Sequence, residues 1–169
     1  MGTIEASLQC IFPPIVTARV SEKTGKALKD HIEVFNPGSR QQIAKRLQEK
    51  GWSPSKYTEK GSVIVDETTL AGVDIPEARA IAEYLLIQKR VAQIESWIEH
   101  TTEDQRIHGK IITNGAVTGR MTHHSPNMAQ VPSVGSEYGA ECRSLFTVPK
   151  GYKLVGADAS GLELRMLAH

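Results

Sequence analysis

Proline at position 76 opens the stretch that most restricts the fold, PEARAIAEYLLIQKRVAQIESWIEH. Its apolar side chains Ile81, Tyr84, Ile87, Val91, Ile94 and Ile98 recur at alternating spacings of three and four, the signature of one helical face. Proline suits the first helical position, where its missing N–H has no partner to lose. The pattern predicts one helix with a face buried along roughly twenty residues. Core packing accounts for such a face, and the stretch holds too few clean heptads for a dimeric coiled coil.

With 169 residues, 40% of them hydrophobic, the chain can build one ordinary core. The net charge of +1 gives no global argument for a polyanionic partner, but the charges are unevenly placed. Residues 19–60 hold ten Lys/Arg against five Asp/Glu, residues 61–104 three against nine, and residues 105–169 seven against four. Two basic regions flank an acidic one, which fits either a surface following a phosphate backbone or a solvated charge mosaic. Cys10 and Cys142 are distant and form no CxxC, so a zinc site is not indicated and a reducing, cytoplasmic setting fits best. There is no signal-peptide pattern and no apolar run long enough to span a membrane.

Residues 1–14 read as a short amphipathic start ended by Pro13-Pro14. Ile15 to Val20 and Ala27 to Phe35 read as two strands around the exposed, Lys-rich turn SEKTGK, with Gly25 free to take positive φ. After Asn36-Pro37-Gly38, Ser39 and Gln42 form a capping box for a helix over Arg40 to Lys50, stopped by Gly51. Arg40, Lys45, Arg46 and Lys50 crowd its polar faces, either as solvated charge or as phosphate contacts. A brief strand over Val63 to Val65 follows, and then a short helix over Glu67 to Ala71 capped by Asp66.

Beyond the polar linker TTEDQ, Ile107 to Thr113 and Ala116 to Thr122 read as a hairpin across Asn114-Gly115. The second strand would carry Thr118, Gly119 and Arg120. An arginine beside a glycine can approach base edges, although a lone hairpin arginine is usually surface charge. The adjacent His123 and His124 read as surface or nucleic-acid-proximal residues without a metal role. Asn127 and Gln130 carry amides suited either to base contacts or to bracing an irregular segment. Ser136 is expected to cap a short helix through Phe146, with Arg143 in a structural role as a buried ion-pair partner.

The last nineteen residues, GYKLVGADASGLELRMLAH, read as a buried strand from Gly151 to Ala157 that delivers Asp158 to a strand-to-helix turn. Ser160 and Glu163 would form a capping box there. A carboxylate in that place can hold Mg²⁺ against phosphate oxygens, or can simply cap the turn. A Walker B strand is the competing reading. It fails because Gly25-Lys26 and Gly109-Lys110 lack both the earlier glycine and the following Ser/Thr of a P-loop.

ADASGLELRMLAH resembles motif A of the family A DNA polymerases, the DNA polymerase I family, in its phage-type form. A second stretch, TNGAVTGRMTHHSPNMAQVPSVGSEYGAECRSLF at residues 113–146, resembles that family's TGR…PN…Q…P…R…F segment, with Arg143 and Phe146 in the RxxF positions. FNPGSRQQI and EYLLIQKR resemble thumb helices of the same enzymes. The resemblance spans roughly residues 15–169.

It implies an α+β fold: a 1–14 N-terminal segment, a mostly helical thumb-like region with a hairpin over 15–104, and part of an antiparallel palm sheet over 105–169. The implied reaction is template-directed DNA synthesis, with a primer 3′-hydroxyl attacking a dNTP and two Mg²⁺ ions assisting. The implied site residues are Asp158 on both ions, the Ala159 carbonyl on one, Ser160 and Gly161 toward the phosphates, and Glu163 crowding the ribose 2′ position. Thr118, Arg120, Asn127, Gln130, Lys89 and Arg90 are implied contacts to primer-template DNA. The family's fingers helix and second catalytic carboxylate have no counterpart in these residues, so the segment is expected to be inactive until joined to them in one chain or as a second subunit. The alternative is a non-catalytic DNA-binding subunit or remnant.

Overall fold

A computed structural model describes residues 2–21 and 25–169. The chain divides into two compact units, Met1–Glu99 and His100–His169. Both mix helices with a small antiparallel sheet, and the fold class is α+β.

The first unit is built on four helices, α1 (Gly2–Ile11), α2 (Arg40–Glu49), α3 (Glu67–Ala71) and α4 (Pro76–Glu99), with a hairpin of β1 (Ile15–Val20) and β2 (Ala27–Glu33). Its core joins Leu8 and Phe12 at the end of α1, Phe35, then Ile43, Ala44 and Leu47 of α2, Val65, Leu70 of α3, and Ala78, Ile81, Tyr84 and Leu85 of α4. The opening segment is thus part of this core, a role its sequence did not disclose. Burial, aided by the negative charge of Glu5, raises the Tyr84 phenol above its ordinary range.

α4 forms where the periodicity predicts, yet its face is not buried throughout. Ala78, Ile81, Tyr84 and Leu85 are buried, whereas Val91 and Ile98 are exposed, Ile98 at 68%. α1 and α3 both pack on α4, and Leu8 of α1 and Leu70 of α3 share the core with its buried positions. Periodicity records which face is apolar; cover depends on the neighbours.

Local signals place the shorter helices. Ser39 Oγ accepts from Gln42 N at 3.4 Å, so Ser39 caps α2, but the Gln42 side chain reaches back past it and accepts from Asn36 N at 2.7 Å. The reciprocal half of the expected capping box therefore closes onto the preceding turn. At the other end Gly51 takes φ +95°, with Gly51 N donating to Gln48 O and Trp52 N to Leu47 O, both at 2.9 Å, the paired bonds of a Schellman stop. Asp66 caps α3 in a complete capping box with Thr69. The expected strand at Val63 is only an isolated bridge to Tyr57, because a pair of facing residues does not propagate a ladder.

β1 and β2 pair antiparallel, Val16 facing Ile32 and Val20 facing Ala27, with an irregularity between Thr17 and Arg19. Gly25 has the expected positive φ, 64°. The Lys-rich tip at Glu22, Lys23 and Thr24 lies outside the described residues.

The second unit has β3 (Lys110–Ile112) antiparallel to β4 (Thr122–His124), a 3-10 turn at Met128–Gln130, α5 (Gly139–Ser144) and α6 (Leu162–Ala168). Residues 151–157, expected as a buried strand, are extended coil with Tyr152, Leu154 and Val155 at 74%, 78% and 88% exposure. No strand of either two-stranded sheet pairs with them, and an extended segment without a ladder partner cannot hold strand structure by its own propensity.

Candidate functional site

The predicted hairpin of the second unit exists, but it is shorter than the Asn114-Gly115 signal implied. Its pairs are Lys110 with His124, Ile111 with His123 and Ile112 with Thr122, so residues 113–121 form the connection. Gly115 is needed there because a Cβ would lie 2.0 Å from Thr122 Oγ1. Thr118, Gly119 and Arg120 therefore sit in a loop rather than on a strand. Ala116 N donates to Arg120 O at 3.0 Å, Gly119 N donates to Ala116 O at 2.9 Å, and Gly119 takes φ +78°. This closed turn leaves the Thr118 and Arg120 side chains exposed. The sequence reading placed Arg120 on a strand, whereas a tight backbone turn carries it.

Asn127 is a brace: its Oδ1 accepts from Ala129 N at 3.1 Å and caps the 3-10 turn that ends in the exposed Gln130. Ser136 does not cap α5. Its hydroxyl donates to Ser133 O at 2.7 Å, and α5 starts from Tyr138 in the left-handed region at φ 59°. Nor is Arg143 a buried ion-pair partner. It is exposed, and its Nε donates to Pro132 O at 2.7 Å, so the guanidinium ties α5 to the backbone of the preceding loop.

In the first unit the predicted basic contacts are partly occupied. Lys89 Nζ lies 3.8 Å from Glu67 Oε1 with its side chain 61% exposed, a surface pair that a phosphate could displace. Arg90 Nη1 donates to Gln93 Oε1 at 3.2 Å, while its Nε is buried without a hydrogen-bond partner. The cations of α2 are used within the unit. Arg40 donates to Val65 O, Arg46 to Pro13 O, Lys50 pairs with Glu77, and Lys45 lies 3.6 Å from Glu33. Phosphate contact was one reading of these four; their present work is to join α2 to its neighbours. The hydrogen bond from Lys50 holds the Glu77 carboxyl below its ordinary range.

Asp158, Ala159, Ser160, Gly161 and Glu163 lie together on an exposed run of chain. Ser160 is not the helix cap. Gly161 occupies that position at φ 61°, ψ 32°, with no side-chain cap bond, and α6 begins at Leu162. The left-handed glycine interrupts the helical turn that a Ser160–Glu163 capping box would require. The structure thus keeps these five residues adjacent through sequence, and among the described residues no cluster of three His, Cys, Asp or Glu forms around them.

Residues 15–169 match the sequence model of DNA polymerase family A. This chain belongs to that family. It is 49% identical over 158 residues to the DNA-directed DNA polymerase of Escherichia phage T7, covering 83% of this chain and 22% of that protein. It is 31% identical to DNA polymerase I of Pseudomonas aeruginosa, covering 80% of this chain and 15% of the relative. Among solved structures, the POL domain of Pol1 from M. smegmatis, in complex with DNA primer-template and dNTP, superposes with a TM-score of 0.68 at 23% identity. That likeness in fold covers 81% of this chain and 25% of the other. The chain therefore spans about a fifth of the length of its phage relative.

Asp158 and the Ala159 carbonyl supply hard oxygen donors of the type Mg²⁺ takes. Their number does not suffice: among the described residues no group of three His, Cys, Asp or Glu is placed to hold a metal ion. Asp158 and the Ala159 carbonyl are thus two of the several oxygen donors such an ion needs. Among the described residues, no helix is long and apolar enough to cross a membrane.

Proposed function

We propose that this chain supplies the thumb region and the first part of the palm of a template-directed DNA polymerase that extends a primer 3′-hydroxyl from dNTPs. The observation that carries the reading is the unbroken family match over residues 15–169, which includes both the Arg120 loop and the Asp158 segment. In this reading residues 15–104 form the thumb and residues 105–169 the partial palm. The exposed Arg120 guanidinium donates to minor-groove acceptors common to all correct base pairs, testing pair shape without reading sequence. Thr118 and the amide side chains of Asn127 and Gln130 contact the primer-template, and Lys89 and Arg90 meet backbone phosphates. The Ser160 and Gly161 backbone faces the incoming triphosphate, and Glu163 crowds the ribose 2′ position and so favours deoxynucleotides.

Asp158 is the catalytic carboxylate of this proposal. The cofactor would be Mg²⁺, held by Asp158, the Ala159 carbonyl and a second carboxylate of the remaining palm, with fingers and remaining palm supplied in one longer chain or by a second subunit, and it would lower the pKa of the primer hydroxyl and neutralise the triphosphate. The setting is the cytoplasm of a bacterium or of a phage-infected cell. The segment alone then binds DNA and does not synthesise it.

Primer extension tests the assignment. The 169-residue chain alone should give no extension with Mg²⁺ and dNTPs, and should gain it when combined with the remaining palm and fingers of a family A polymerase. Asp158→Ala in that assembly should abolish extension while leaving primer-template binding intact. Extension by the isolated chain would refute the dependence on further segments. An unchanged rate in Asp158→Ala would remove Asp158 from the chemistry and leave a non-catalytic DNA-binding role as the better account.

A further inference from the structure

No Asp or Glu occurs between Asp104 and Glu137, a stretch that carries Arg106, Lys110, Arg120 and three of the chain's six histidines, His108, His123 and His124. Within it the β3–β4 register sets Lys110 directly opposite His124. Directly opposed residues of an antiparallel pair share a face, with Cβ atoms about 5 Å apart. Lys110 and His124 are both exposed. His124 Nδ1 lies 3.0 Å from Ser125 Oγ, which orients the ring and leaves Nε2 for an outside partner.

The surrounding charges bear on any protonation of this ring. β3 presents Lys110, and the 3-10 turn Met128–Gln130 packed on β4 carries no titratable group. Arg120 precedes β4 in the connecting loop. His108 is the one histidine of the stretch beside a carboxylate, 3.9 Å from Asp104. His123 faces Ile111 on the opposite side of the ribbon. Lys110 and His124 therefore offer one anion two donors on the same face of the ribbon.

We propose that Lys110 and His124 form a phosphate clamp for the nucleic-acid backbone, and that engaging a phosphodiester draws a proton onto His124. The two non-bridging oxygens of one phosphodiester accept from Lys110 Nζ and from the imidazolium Nε2–H. By linkage, duplex binding strengthens as pH falls through the histidine range. The inference rests on the DNA-binding reading above and adds two contacts to it.

The test is fluorescence-anisotropy titration of the 169-residue chain with a labelled primer-template duplex at about pH 6 and about pH 8, at constant ionic strength. The wild-type chain should bind about threefold tighter at the lower pH, the worth of one added exposed ion pair. His124→Gln should lose most of that ratio, and His123→Gln, on the other face, should keep it. Lys110→Ser should weaken binding at both pH values and lower the salt slope by about one phosphate contact. The His124 ring, followed by NMR, should titrate at higher pH with duplex than without it. A pH ratio unchanged in His124→Gln, or a His124 titration indifferent to duplex, overturns the clamp while leaving the DNA-binding reading in place. No binding at either pH overturns both.

Discussion

The Lys50 ammonium lies 5.2 Å from the centre of the Phe12 ring and pairs at the same time with Glu77 at the start of α4. The Phe12 and Phe35 ring centres are 4.6 Å apart. One side chain at the end of α2 therefore closes the core over the residue that follows α1, at a point where the chain precedes the family match. This makes residues 1–14 a structural part of the first unit. Phe12→Ala should destabilise that unit by about 3–5 kcal/mol, the cost of emptying a buried aromatic site. Lys50→Ala, removing a partly exposed pair and a cation over a ring, should cost about 1 kcal/mol. Urea unfolding of both variants, monitored by tryptophan fluorescence, measures the order.

Asp66 sets the acid limit of the same unit. Hydrogen bonds from the Thr68 hydroxyl and then the Thr69 backbone hold its carboxyl at about 2, below the reference 3.8. A depressed folded-state pKa means that the ionised form is favoured by folding. The contribution is therefore complete above the unfolded value and is lost as pH falls from about 4 toward 2. Asp66→Asn retains an acceptor for the cap, so it should lower stability modestly near neutrality and flatten this loss. Asp66→Ala should cost about 1 kcal/mol near neutrality. Thermal melts between these pH values distinguish the variants.

Two glycines of the second unit tolerate no side chain, for different reasons of place. A Cβ at Gly139 would lie 1.8 Å from the Ser133 carbonyl oxygen, a backbone atom, whereas one at Gly115 would meet the Thr122 side chain at 2.0 Å. Gly139→Ala should therefore destabilise the second unit by about 1–3 kcal/mol. Gly115→Ala should recover part of its loss in combination with Thr122→Ala, because that exchange removes the clashing oxygen. Melting temperatures of the single and double variants test the coupling.

Legibility in the sequence followed the range of the interaction. Helix starts and stops are local, and Ser39, Gly51, Asp66 and Pro76 were readable because each acts within a few residues of itself. Burial is not local: Ile98 satisfies the same periodicity as Ile81, but one is 68% exposed and the other fully buried, since only neighbours distant in sequence decide it. The Asp158 segment repeats the lesson, because Leu154 and Val155 have strand-forming character and no strand beside them. Family resemblance singles out Arg120, Asn127 and Asp158 as candidates, while the loop that holds Arg120 and the occupied acceptor of Asn127 depend on backbone geometry that no motif spells out. Lys110 enters the sequence reading only in the Gly109-Lys110 pair that fails as a P-loop, not as a DNA contact. Its signal was the absence of any acid from Asp104 to Glu137, but only the register set it beside His124.

Arg120 and Lys89 should fail in different ways when removed. Arg120 ends a closed turn, with its own carbonyl accepting from Ala116 N, so its backbone is held while its exposed side chain is open to a base edge or a phosphate. Lys89 is an exposed cation paired with Glu67 at 3.8 Å. If Arg120 contacts base edges, Arg120→Ala should weaken primer-template binding by about 1–3 kcal/mol and relax discrimination against a mismatched primer end, with a small change in salt slope. Lys89→Ala should weaken matched and mismatched duplexes equally and reduce the salt slope by about one. Binding isotherms over a series of salt concentrations, with matched and mismatched primer termini, separate the two. Equal salt slopes and equal mismatch discrimination in both variants would make Arg120 a second phosphate contact rather than a reader of base-pair shape.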